Sequence, residues 1–268
     1  MNRTRNTKTA SNSPSTYSGG VTLKSPQELE AMAKAGAIVG SALTLLKRSV
    51  EPGMTTRDLD NIAYKEITRC GAKPTFKGYR GFPGSICASV NEEIVHGIPG
   101  KRILREGDII KMDVGATIDG FIGDAAVSVA VGEVTQAAIN LMDATRVSLE
   151  EGIKAAQAGN RIGDIGAAVQ TYAEAQGYGV VREFVGHGVG RFLHEDPQVP
   201  NYGQAGKGQL LRHGMCIAIE PMLNIGDWHT RILDDQWTVV TEDGSLSAHF
   251  EHTIAITVDG PKILTVHS

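Results

Sequence analysis

A repeat constrains this chain more than any single motif does. EPGMTTRDLDNIAYKEITRCG (51–71) lies over QAGNRIGDIGAAVQTYAEAQG (157–177), with Gly53 on Gly159, Asp58 on Asp164, Leu59 on Ile165 and Gly71 on Gly177, each 106 residues apart. Further on, LREGDIIKMD (104–113) lies over LRHGMCIAIE (211–220) at an offset of 107, and Asp113 meets Glu220. Two blocks with nearly one offset imply a duplicated half, helices followed by strands, with two copies packed face to face. An acidic residue then stands at matching points of both halves.

The remaining patterning agrees with an α+β chain. Ser25 caps a helix that opens with Pro26 and runs to about Val50. A second helix ends near Gly71; strands are expected over 85–97 and 108–129, helices over 134–152 and 162–176, and strands and loops from Val180 to Val266. Residues 1–20 are polar and basic and read as a disordered tail, leaving 21–268 as a single domain. Lys and Arg number 26 against 30 Asp and Glu, a net charge of −4 that argues against nucleic-acid or membrane binding. No run approaches the roughly 18 apolar residues of a membrane span. Three cysteines without CxxC spacing exclude a disulfide framework and fit a reducing cytoplasm.

IIKMDVGATIDGFIGDAAVSV (109–129) puts two aspartates where a buried face is expected. Asp119-Gly120 is a strong two-residue hairpin signal, and it sets Gly115 opposite Asp124. Asp113 and Asp124 then share one face as diagonal neighbours, roughly 7–8 Å apart at Cα. Two such buried carboxylates repel unless one takes a proton or a cation lies between them. The plainer alternative makes one a turn cap and the other solvated, and the apolar flanks count against it. His187 and His194 sit in the Gly-rich stretch FVGHGVGRFLH; Glu220 ends an apolar strand before Pro221; Glu251 lies in a later strand whose His249 and Thr253 share its face. Asp113, Asp124, His187, Glu220 and Glu251 are too rich in oxygen for a structural zinc site. They suit two divalent ions bridged by carboxylates, and Co, Mn, Fe and Zn are all admissible.

These residues carry a resemblance. Phe184-x-Gly-His-Gly-Val-Gly-x3-His-x4-Val-x-Asn-Tyr202, NEEIVHGIP (91–99) and SLSAHFEHTIAIT (245–257) resemble the motifs of type I methionine aminopeptidases. The likeness spans roughly 22–266. It implies the pita-bread fold, with internal pseudo-twofold symmetry and an antiparallel sheet covered by two helix pairs. It implies a dimetal aminopeptidase that removes N-terminal methionine before a small second residue, using metal-activated water. Asp113 would chelate one ion, Asp124 and Glu251 would bridge both, and His187 and Glu220 would complete the shell of the second ion. Glu220 would act as general base, His194 would donate to the carbonyl or its oxyanion, and His96 would hold the amide nitrogen. Tyr79, Phe82, Cys87 and Trp237 would wall the methionine pocket, with Phe76 at its rim. The resemblance departs at Phe76, Phe82 and Leu193, which bear on pocket shape and leave the metal ligands intact.

Prolidase or Xaa-Pro aminopeptidase activity on the same fold is the nearest alternative. It is disfavoured because those enzymes usually carry a further N-terminal domain. A non-enzymatic binding module is disfavoured because all five ligands are kept. Expected partners are peptide and nascent-protein N-termini, with transient ribosome proximity where substrates emerge. A cytoplasmic monomer is expected.

Overall fold

The structure, a computed structural model, describes residues 15–16 and 20–266. Most of the expected tail lies outside them, as does His267; Ser15–Thr16 pair with Thr22–Leu23. Four helices form two packed pairs: α1 (Pro26–Ser49) with α2 (Thr56–Arg69), and α3 (Gln136–Ala155) with α4 (Ile162–Ala175). Capping chemistry starts α1 where the sequence indicates. The Ser25 hydroxyl accepts the Glu28 N–H at 3.3 Å and the Glu28 carboxylate accepts the Ser25 N–H at 3.0 Å.

The strands that matter for the site are β1 (Ile86–Val90), β2 (Glu93–Val95), β3 (Ile109–Ile118), β4 (Phe121–Ala130), β5 (Gly186–Gly188), β6 (Glu195–Val199), β7 (Cys216–Ile219), β8 (Met222–Asn224), β9 (Ser247–His249) and β10 (His252–Thr257). Their ladders are antiparallel. In the first half β3 lies between β1 and β4; in the second the order is β6, β5, β7, β10. The expected strand over 85–97 is interrupted at Asn91, which adopts φ +56°, a conformation Asn tolerates. The expected strand through Glu251 is likewise split into β9 and β10, with Phe250 and Glu251 between them.

The duplication is visible atom by atom. The Gly53 N–H donates to Leu104 O at 2.8 Å and the Leu104 N–H to Met54 O at 2.8 Å. The second copy repeats this, with Gly159 N–H to Leu211 O at 3.0 Å and Leu211 N–H to Asn160 O at 2.8 Å. Asp58 and Asp164 accept the backbone N–H three residues earlier in their own helix starts, at 2.8 and 2.7 Å. The turns before β3 and β7 both pivot on a glycine at φ +90°, Gly107 and Gly214, where a side chain is strained.

A seam joins the halves. β4 faces the β9–β10 segment, and Ala126 and Glu251 exchange backbone hydrogen bonds of 3.3 and 2.9 Å. Hydroxyl side chains complete the seam on either side. Thr253 Oγ1 accepts the Asp124 N–H at 3.1 Å and donates to Asp124 O at 2.7 Å. Ser128 Oγ accepts the His249 N–H at 2.9 Å and donates to His249 O at 2.8 Å.

By length and composition alone, one described helix could cross a membrane. It is α1, of 24 residues, whose most apolar 18-residue stretch has mean hydropathy 1.4 and is half buried inside the fold. Its buried Val39, Leu43 and Leu46 belong to the main core with Met112, Val114 and Val127, so this apolarity is spent on packing. Contact is tight at Gly123, where an ideal Cβ would lie 2.7 Å from Gly36 N and 2.8 Å from Ala35 C. Gly123→Ala should therefore push α1 off β4 and lower stability by about 1–3 kcal/mol in urea unfolding. Wild-type stability in that variant would show that the helix yields without cost.

Candidate metal centre

The β3–β4 hairpin turns at Asp119-Gly120, both at positive φ (51° and 77°), as a two-residue turn matching strand twist requires. Gly115 pairs with Asp124 and Asp113 with Ala126, so the two aspartates are diagonal neighbours on one face. The space left by Gly115 holds the Phe76 ring, whose Cε1 would lie 2.6 Å from an added Cβ. Phe76 is thus buried at the pocket wall and sits deeper than the rim position expected of it.

Three further donors arrive from the second half. His187 stands on β5, Glu220 directly follows β7, and Glu251 lies at the seam. Donor atoms of Asp124, His187 and Glu251 all lie within 4.8 Å of one another, close enough to hold one ion. His187 Nε2 is 3.8 Å from Asp124 Oδ2 and 3.5 Å from Glu220 Oε1. Asp113 is cross-strand from Cys87 and lines the same cavity as the other four.

The electrostatics call for a cation. Burial pushes the Asp113 carboxyl up to about 7. Burial, then the neighbouring carboxylates, drive Asp124 and Glu251 well above the usual range, and burial followed by Asp113 does so for Glu220. Burial also pulls His187 down to about 4, so its ring is neutral. Its Nδ1 donates to Gly188 O at 2.9 Å, which leaves the Nε2 lone pair facing carboxylate oxygens. Oxygens Asp113 Oδ1, Asp124 Oδ1 and Glu251 Oε1 are buried without a hydrogen-bond partner. A neutral imidazole aimed at unpartnered buried acids is a metal-ligand constellation, and its backbone-fixed tautomer is the one a metal needs.

This acidic floor lies in an open cavity of about 850 Å³, solvent mouth included. Each residue expected at the site lines it: His96, His194, Tyr79, Phe82, Cys87 and Trp237. Phe82 and Trp237 meet edge to face at 5.1 Å. The Tyr79 hydroxyl lies 2.8 Å from His194 Nδ1, and the His194 ring is 4.3 Å from that of His187. His96 follows β2 at φ +61°, and its ring packs edge-on against Phe184 at 5.6 Å. The turn before it is anchored from below: Lys111, fully buried on β3, donates to Asn91 O at 2.6 Å. Burial lowers His96 to about 4, and burial, then the Arg80 charge, lowers His194.

Phe184 and Arg80 line the cavity without having been singled out from sequence. Phe184 opens the FVGHGVG motif, so its signal was present; exposed Arg80 carried none. His249, which shares the face of Glu251, is buried with both ring nitrogens unpartnered, and its Nε2 is 3.9 Å from Glu220 Oε2. The remaining histidines take other roles. His229 pairs with Asp227 at 2.8 Å, His252 meets Thr265 Oγ1 at 2.9 Å, and His213 lies in the turn before β7.

Comparison with known proteins decides the family. A model described as Metallopeptidase family M24 matches residues 30–258. The chain belongs to metallopeptidase family M24. Within M24 it is 51% identical to the methionine aminopeptidase of Clostridium acetobutylicum over 92% of this chain and 99% of that one. It is 52% identical to methionine aminopeptidase 1 of Bacillus subtilis, over 90% and 98%. The crystal structure of methionine aminopeptidase from Thermotoga maritima superposes with a TM-score of 0.91 at 48% identity, covering 92% and 99%. Prolidase from Pyrococcus furiosus shares the fold, with a TM-score of 0.75 at 20% identity over 92% of this chain and 66% of that one. The M24 chain thus has the pita-bread fold, and its Asp124, His187 and Glu251 form a candidate metal-binding group.

The metal-free protein should report the strain of this cluster through pH. A carboxyl raised in the folded state stabilises it only while protonated. For Asp113 that contribution is complete below the ordinary 3.8 and is lost as pH rises through about 7. Asp113→Asn should therefore gain stability over the metal-free wild type progressively from pH 4 to pH 7, measured by urea unfolding in chelator. A difference that is flat with pH would contradict the assigned burial.

Proposed function

We propose that this protein is a dimetal methionine aminopeptidase of type I, removing N-terminal methionine from peptides and nascent chains whose second residue is small. One observation carries the reading: carboxylates and a neutral imidazole from both halves of the duplication meet on the floor of an apolar-walled open cavity, with buried oxygens of Asp113, Asp124 and Glu251 left without a hydrogen-bond partner. The relatives supply the substrate class, since proteins 51% and 52% identical to this chain over nearly their full length bear the name methionine aminopeptidase. The prolidase-like alternative has support only at the level of fold.

Asp113, Asp124, His187, Glu220 and Glu251 would hold two divalent ions, drawn from Co, Mn, Fe and Zn. When bound, such ions supply Lewis acidity and lower the pKa of water. The side chains do the rest. Glu220 stands at the cavity lining, where it can take a proton from the attacking water and return it to the leaving amine. Donation from the Tyr79 hydroxyl to His194 Nδ1 would fix the other ring nitrogen, Nε2, as an N–H donor for the developing oxyanion. His96, neutral and braced against Phe184, would bond the amide nitrogen of the second residue. Tyr79, Phe82, Cys87 and Trp237, with Phe76 behind, give methionine an apolar and polarizable wall. Work on nascent chains would place it in the cytoplasm with transient proximity to the ribosome, and we propose that it acts as a monomer.

A panel of Met-Ala-type and Xaa-Pro peptides tests the assignment. Cleavage confined to the former, abolished by chelation and restored by Mn²⁺, is expected; turnover of Xaa-Pro peptides alone would transfer the assignment to the prolidase class. Glu220→Ala should remove turnover altogether. His194→Ala should lower kcat by about 2.7–4 kcal/mol, the range for a lost oxyanion donor. An unchanged kcat would take His194 out of the reaction.

A further inference from the structure

We infer that His249 is a positioning residue that orients the Glu220 carboxylate from behind through its Nε2. The inference rests on the proposed reading of Glu220 as a ligand and proton carrier.

The backbone of His249 is immobilised. β9 pairs with β8, placing His249 opposite Met222, and the Ser128 hydroxyl binds both the N–H and the C=O of His249 at 2.9 and 2.8 Å. The side chain is only 2% exposed, yet neither ring nitrogen has a hydrogen-bond partner. Leaving a buried polar group unmatched costs about 1–3 kcal/mol, so an imidazole kept here requires an explanation that packing does not supply. A leucine would fill the same volume without that cost.

Glu220 has the complementary deficiency. Its main-chain carbonyl is held by Asn201 Nδ2 at 3.0 Å, but among the described residues its carboxylate accepts no hydrogen bond. The two carboxylate oxygens are divided between two imidazoles. Oε1 faces His187 Nε2 at 3.5 Å on the cavity side, and Oε2 faces His249 Nε2 at 3.9 Å on the buried side. A carboxylate only accepts and a neutral imidazole has one N–H, so the tautomer protonated at Nε2 matches the pair. The 3.9 Å separation exceeds direct hydrogen-bond reach; a rotation of the carboxylate, or one bridging water, spans it. Either contact fixes the torsion of Glu220 and presents Oε1 to the cavity. Such support typically governs metal affinity by 10- to 100-fold.

The test is calorimetric titration of metal-stripped protein with Mn²⁺, with urea midpoints confirming that each variant folds. H249L should weaken one Mn²⁺ binding event by about 10- to 100-fold and leave the other near wild type. H249Q, whose amide N–H reaches about as far as Nε2, should restore the affinity. Should H249L not fold, H249N takes its place, because its shorter amide should fail where H249Q succeeds. The same variants should lower kcat on a Met-Ala peptide with KM changed less than about twofold, since no contact with substrate is removed. E220Q separates the layers. If E220Q weakens Mn²⁺ binding while H249L and H249N bind as wild type, the inference is overturned alone. If E220Q binds Mn²⁺ as wild type, both the inference and the assignment of Glu220 fall.

Discussion

Mutual repulsion among buried carboxylates is the constraint on which the rest of this structure turns. Asp113, Asp124, Glu220 and Glu251 stand in one cavity with an imidazole lone pair directed at them. Without a cation the cluster must hold protons it would shed in water. The fold accepts this because each acid is fixed by an element that the core stabilises independently. Asp113 and Asp124 ride on a hairpin packed against α1, Glu220 follows an all-buried strand, and Glu251 is clamped to Ala126 at the seam. The destabilisation is therefore concentrated where binding of divalent ions can relieve it.

Duplication explains how one chain gathers such a set. The repeat sets an acid at the same place in each half, Asp113 within β3 in the first and Glu220 directly after β7 in the second. The helix starts and glycine turns that lead to those strands repeat down to individual hydrogen bonds. Packing the halves face to face brings matching acids toward a common axis. The asymmetric additions give the site its chemistry. His187 comes from a Gly-rich strand where neighbouring backbone leaves no room for a Cβ, and His194 and Tyr79 are joined across 115 residues of chain.

Much of this was legible in the sequence because the signals are local. Asp119-Gly120 fixed the hairpin register, and with it the diagonal placement of Asp113 and Asp124. Ser25, Pro26 and Glu28 fixed the start of α1. The repeat offset exposed the symmetry. Other features escaped because they arise only on packing. Phe76 fills the notch of Gly115 from a loop distant in sequence, so its depth could not be read from spacing. The break at Asn91 and the division of β9 from β10 follow from tertiary hydrogen bonds, among them Lys111 to Asn91 O and Glu251 to Ala126. The small residues Ala35 and Gly36 of α1 likewise show their role only on packing, where they let β4 approach at Gly123.

The most direct measurement is anomalous diffraction from crystals grown with Mn²⁺. The account predicts two peaks roughly 3.5–4 Å apart, ringed by Asp113, Asp124, His187, Glu220 and Glu251. A single peak, or full-length side chains of that group turned to solvent around an ion-free cavity, would contradict it.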